Sequence, residues 1–121
     1  MTAAGGWNTM ENLRQRLEVL AELADTVAAR KGASPEISYT AKLLSQGIEK
    51  CAKKVGEEAI ETALAAVKGD LGHLKLEAAD LFYHLIVLLE ASGLPLAEVM
   101  GELEKRVGTS GIAEKAGRKQ V

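Results

Sequence analysis

Between Met10 and Arg30 the apolar positions fall at Leu13, Leu17, Leu20, Leu23 or Ala24, and Val27, spacings of three and four that line one side of a helix. A first amphipathic helix is therefore predicted there. "KGASPEIS" interrupts it with Gly32 and Pro35, and Ser38 stands where an N-cap would receive the next segment. "SYTAKLLSQG" reads as a short helix or helical turn that runs into, or kinks at, Gly47. From Ile48 to Val67 the positions Ile48, Cys51, Ala52, Val55, Ala59, Ala63 and Val67 recur on a helical period, widened by Ile60 and Leu64, which predicts a second long helix. In "KGDLG", Gly69 suits a C-terminal stop and Asp70 an N-cap. A third long helix, from Leu71 to about Ala91, carries Leu74, Ala78, Leu81, Leu85 and Leu88, with Phe82 and Leu89 alongside. Ser92-Gly93 ends it, and Pro95 opens a last helix reaching about Val107.

No strand pattern and no internal repeat accompanies these helices, so the expected fold is all-α, a subunit of four to five helices. Residues 10–107 form one domain in this reading, between a flexible N-terminus (1–9) and a mobile polar tail (108–121). Beyond Leu81 the third long helix is apolar on more than one side. That exceeds what so few helices can cover alone, and a homodimer is expected.

Composition narrows the partners. The net charge of −2 leaves no basic stripe for tracking nucleic acid, so any phosphate bound is a small one. Cys51 is the only cysteine, which rules out an internal disulfide, favours a reducing compartment, and reads as a small core or interface residue on the apolar stripe. "MTAAGGWNTMENLRQ" has no apolar stretch of a signal peptide, and no run approaches the roughly 20 apolar residues of a membrane span. A cytoplasmic protein without a membrane partner is expected.

The charges of "KKVGEEAIET" need a different explanation, because Glu57, Glu58 and Glu61 repel one another on a helix. If the two long helices fold back at Gly69, Glu58 and Asp80 each lie eleven residues from the turn, and Glu61 and Glu77 each lie eight. Residues equidistant from a hairpin turn stand at similar heights, so the ExxE and ExxD pairs face each other. A lone ExxE is ordinarily a solvated face; two mirrored pairs gather four carboxylates that a cation would have to neutralise. Hard oxygen ligands without His or Cys favour Mg²⁺ or Mn²⁺ over Zn²⁺, and magnesium in turn recruits phosphates. Lys54 and His84, each fifteen residues from Gly69, extend the cluster by one turn. His84 also reads as a hydrogen-bonded bundle residue, Lys53 and Lys54 as surface charge, and His73 as exposed.

Four ordered motifs add to this reading: "SYTAKLL", "KKVGEEAIE", "EAADLFYHLIVLL" and "ELEKR". Together, across residues 36–106, they resemble the phosphoribosyl-ATP pyrophosphatase family of histidine biosynthesis, itself similar to the wider all-α, MazG-like nucleotide pyrophosphohydrolases. The resemblance implies a helical subunit that dimerises and Mg²⁺-dependent hydrolysis of phosphoribosyl-ATP to phosphoribosyl-AMP and pyrophosphate. It implies metal-ligand positions at Glu58, Glu61, Glu77 and Asp80, with Glu57 as a neighbour that could replace one of them or act as a base. Tyr39, Thr40 and Lys42 become candidate substrate contacts, and Arg106 a candidate phosphate clamp. Lys53, Lys54 and His84 fall among the substrate-binding candidates, and Glu58, Glu61 and Lys54 among the catalytic ones. Two rival readings stand beside this one: a house-cleaning nucleoside triphosphate pyrophosphatase with the same metal site, and a non-enzymatic helical dimerisation module with an acidic seam.

Overall fold

A computed structural model describes residues 10–107. The segments read above as flexible ends, 1–9 and 108–121, lie outside the described residues. Five helices and no strand occur among those described: α1 (Met10–Ala29), α2 (Tyr39–Ser45), α3 (Ile48–Lys68), α4 (Leu71–Ser92) and α5 (Leu96–Arg106). The all-α expectation is met, and each boundary lies within about two residues of the one that periodicity and breakers predict.

Local chemistry sets those boundaries. Ser38 caps α2, its hydroxyl oxygen accepting from the Ala41 N–H at 3.1 Å. Gly69 closes α3 with φ 75°, a left-handed conformation open to glycine at little cost. The Gly69 and Asp70 N–H groups then bond back to Ala66 O and Ala65 O. Asp70 at once caps α4, its carboxylate accepting from the His73 N–H at 3.0 Å. A stop and a start on adjacent residues force α3 and α4 into a tight antiparallel hairpin, the frame on which everything else packs.

The contact face of this hairpin differs from the apolar stripe read for α3. The inward positions are Cys51, Val55, Glu58, Thr62 and Ala65 on α3, and Leu74, Glu77, Leu81, His84 and Leu88 on α4, all buried or half-buried. They alternate by three and four residues, the seam of an antiparallel coiled-coil pair. Ala59 and Ala63, placed on the stripe by sequence, are exposed, and Val67 is 85% exposed. The correction has a simple cause: a stripe drawn through apolar residues skips Glu58 and Thr62, yet the hairpin turns those inward. Thr62 meets its own polar need by donating to Glu58 O at 2.7 Å.

The close-packed core lies at the end of the hairpin away from the turn, where Val27, Leu43, Cys51, Ile86 and Val87 bring four helices together. α1 contributes through its second half only. Leu20, Leu23 and Ala24 pack against the core, whereas Leu13 and Leu17 remain about half exposed on the same stripe. Cys51 is buried as expected, its thiol donating to Leu43 O at 3.4 Å, and burial pushes that thiol up from its ordinary pKa. No single described helix is long and apolar enough to cross a membrane; α4 and α5 meet that test only as a pair bent by 113°.

Candidate metal centre

Nearer the turn, the hairpin seam becomes acidic. One carboxylate oxygen from each of Glu58, Glu77 and Asp80 lies within 4.8 Å of the other two, close enough to share one ion. Glu58 stands on α3 and the other two on α4, so neither helix could build the group alone. Glu58 is only 8% exposed. Its carboxyl is pushed above the usual carboxylate range, first by burial, then by the hydrogen bond and charge of Glu61, with Asp80 adding and Lys54 opposing. Protein groups alone thus leave this carboxylate under-compensated. Three hard oxygens converging on one point, one of them buried, fit a divalent cation of the magnesium type.

Glu61 stands differently from the other three predicted ligands. Its side chain, exposed like that of Asp80, lies outside the close group of oxygens and adds to the upward push on the Glu58 carboxyl. Glu58 is an inward position of the seam and Glu61 lies off it: mirror counting about Gly69 sets a residue's height but not the direction of its side chain. Glu61 does line an open groove of about 390 Å³ with Lys54, Glu57, Glu58 and Ile60. A polyanionic ligand lying in that groove would reach Glu58 and Lys54 together.

Lys54 brings a cation to the edge of the cluster, with Nζ 3.3 Å from Glu57 Oε1 and 3.9 Å from Glu58 Oε2. Its hydrogen bond to Glu57 leads in holding the ammonium above its ordinary pKa, so it stays charged. Glu57, with its carboxylate turned to Lys54, is absent from the oxygen group. His84 is 7% exposed between two aromatic rings, edge-on to Tyr83 at 5.0 Å and to Tyr39 at 6.4 Å. Burial, then the Lys54 charge, lowers its pKa, which favours the neutral imidazole.

Of the "SYTAKL" residues, Tyr39 is 56% exposed beside His84, and the Thr40 hydroxyl is hydrogen-bonded to the Tyr83 hydroxyl at 2.5 Å. That bond fastens the start of α2 to α4. Lys42 and Lys53 are exposed on α2 and α3. Arg106 sits in the last turn of α5, paired with Glu102 at 3.2 Å, and is not among the residues that line the groove beside the carboxylates. Sequence reasoning passed over two participants. Tyr83 secures Thr40, and only a contact between helices reveals it. His73 bonds Glu77, and its spacing of four residues from that glutamate was a usable signal.

Comparison with known proteins gives the same direction. A phosphoribosyl-ATP pyrophosphohydrolase family model matches residues 20–107, a span that includes every candidate site residue. A phosphoribosyl-ATP pyrophosphatase of Cereibacter sphaeroides is 63% identical over 102 residues, covering 84% of this chain and 99% of the relative. The corresponding protein of Dinoroseobacter shibae is 60% identical, covering 84% of this chain and all of the relative. That of Methylobacterium radiotolerans is 61% identical over 100 residues, 83% of this chain and 94% of the relative. With a carboxylate group of this form and identity of this extent, the chain belongs to the phosphoribosyl-ATP pyrophosphohydrolase family.

Proposed function

We propose that this protein hydrolyses phosphoribosyl-ATP to phosphoribosyl-AMP and pyrophosphate, the second step of histidine biosynthesis, with Mg²⁺ as its cofactor and Mn²⁺ as a substitute. The observation that carries the proposal is the convergence of Glu58, Glu77 and Asp80 within 4.8 Å across the hairpin of a chain in this family. In this reading those three carboxylates hold the ion, and Glu61 supports Glu58 from the groove or joins the ligands when substrate binds. The cation, when bound, supplies charge neutralisation at phosphate oxygens and acidifies a water.

The remaining work falls to protein side chains. The reaction adds water to the α-phosphorus, breaks its bond to the bridging oxygen, and releases pyrophosphate; Lys54, kept charged by Glu57, offsets charge that spreads onto the leaving oxygens. Glu57 or Glu61, both exposed on the groove, can orient the attacking water and accept its proton. Tyr39 offers an exposed ring beside the site for the base or ribose, with buried His84 behind it. Lys42, Thr40 and Lys53 are further substrate contacts in this scheme, and Arg106 a clamp for an outer phosphate. Release of pyrophosphate from phosphoribosyl-ATP, measured with and without Mg²⁺ beside ordinary nucleoside triphosphates, tests the assignment. Selective, magnesium-dependent release is expected; release from ordinary triphosphates alone would replace it with a house-cleaning activity.

The working unit in this reading is a homodimer. Ile60 and Leu64 on α3, and Leu71, Leu76 and Phe82 on α4, are each more than half exposed, a large apolar area for a chain of this size. Light scattering should give twice the chain mass, and a monomer at micromolar concentration would overturn the dimer. The buried free thiol of Cys51 suits a reducing compartment, and we assign the reaction to the cytoplasm, without nucleic-acid or membrane partners.

A further inference from the structure

We infer that His73 is a positioning residue for the metal centre, holding the Glu77 carboxylate in its ligating orientation by a hydrogen bond from outside the cluster. The inference rests on the metal reading given above. Its starting point is the turn: the Asp70 carboxylate accepts from the His73 N–H at 3.0 Å, which fixes the first turn of α4. One helical turn later the imidazole Nε2 of His73 lies 3.0 Å from Glu77 Oε2. Glu77 also contributes an oxygen to the group it forms with Glu58 and Asp80, all within 4.8 Å of one another. The glutamate that contributes an oxygen to this group is thus also held by His73, one helical turn back along α4.

The energetic argument concerns freedom and repulsion. A glutamate has three side-chain torsions, and freezing them on metal binding lowers affinity unless they are already ordered. Two neighbouring carboxylates also drive an unheld Glu77 away from the cluster in the absence of metal. A hydrogen bond from the imidazole Nε2 counters both effects, because it orders the carboxylate and keeps it beside its neighbours. The Glu77 side chain is 13% exposed and that of His73 47%, so water weakens the bond without replacing it. Outer hydrogen bonds to metal ligands typically change affinity about 10- to 100-fold, and a half-exposed one belongs at or below the lower end.

Mn²⁺ titrated into the full chain, with free ion followed by electron paramagnetic resonance, provides a readout independent of turnover. His73→Ala should weaken Mn²⁺ binding about three- to tenfold, and His73→Gln, which keeps a donor, should recover it to within about twofold. Turnover at saturating Mg²⁺ should stay near that of the unaltered protein, while the Mg²⁺ concentration giving half-maximal rate rises in His73→Ala. Mn²⁺ binding by His73→Ala equal to or tighter than that of the unaltered protein would overturn the inference, as would equal weakening in both variants. No Mn²⁺ binding by the unaltered protein would instead overturn the metal reading on which it rests.

Discussion

Glu58→Gln is expected to lower the turnover of phosphoribosyl-ATP by about a hundredfold or more while leaving the five helices intact. The exchange is nearly isosteric at an inward position of the hairpin, so packing barely changes. What changes is charge. Glu58 supplies the α3 oxygen of the candidate centre and the carboxylate 3.9 Å from Lys54, so a neutral amide weakens ion binding and frees the lysine to turn wholly toward Glu57. Without metal, the direction for stability is the reverse of the usual loss on mutation. A buried carboxyl whose pKa is raised in the folded protein opposes folding as pH rises above the unfolded carboxylate pKa. The metal-free variant should therefore melt no lower than the unaltered protein at neutral pH, yet gain less from added Mg²⁺. A ligand bound only to the native state adds about 2.7 kcal/mol at a hundredfold excess over its Kd, which a melting curve resolves easily. Near-normal magnesium-dependent turnover in Glu58→Gln would remove this residue from the mechanism.

Leu43→Ala should have the largest effect on stability, about 2–5 kcal/mol, read by denaturant unfolding. Leu43 is 2% exposed at the meeting point of Val27, Cys51, Ile86 and Val87. Few side chains in the described chain are so completely enclosed, and with α2 only seven residues long, neighbouring leucines can do little to close the cavity. The consequence reaches the site: α2 begins with Tyr39 and Thr40, and a loosened α2 loses the Thr40–Tyr83 bond that holds it to α4. Affinity for substrate should fall together with stability. A loss below about 1 kcal/mol would mean that α2 is anchored by something other than Leu43.

Much of the fold was legible because its punctuation is local. Ser38, Gly69, Asp70 and Gly93 each act on the backbone within a few residues, and all four stand at the boundaries the sequence predicts. Side-chain placement was less legible. Apolar spacing put Leu13 and Leu17 on the same footing as Val27, yet α1 reaches the core through its second half alone, and only Val27 of the three is enclosed. A hydrophobic stripe records which face is to be covered, but not how far along it the neighbouring helix extends. On α3 the stripe pointed to Ala59 and Ala63, because hydrophobicity has no means of assigning a glutamate to the inside.

The candidate site divides in the same way. Counting outward from Gly69 was enough to bring Glu58, Glu77 and Asp80 together, since a tight hairpin converts sequence distance into height at about 1.5 Å per residue. Rotation about each helix axis is a separate matter, set by how two surfaces pack, and this separates inward Glu58 from exposed Glu61. The sequence by itself thus determined the helices, the turn, the family resemblance and the level of the acidic cluster. Only the tertiary structure decided which carboxylate oxygens come together, that Thr40 and Tyr83 are hydrogen-bonded, and that His84 lies buried between aromatic rings. Backbone breaks and caps are short-range and written in adjacent residues, whereas burial and ligation depend on the summed packing of helices far apart in the chain.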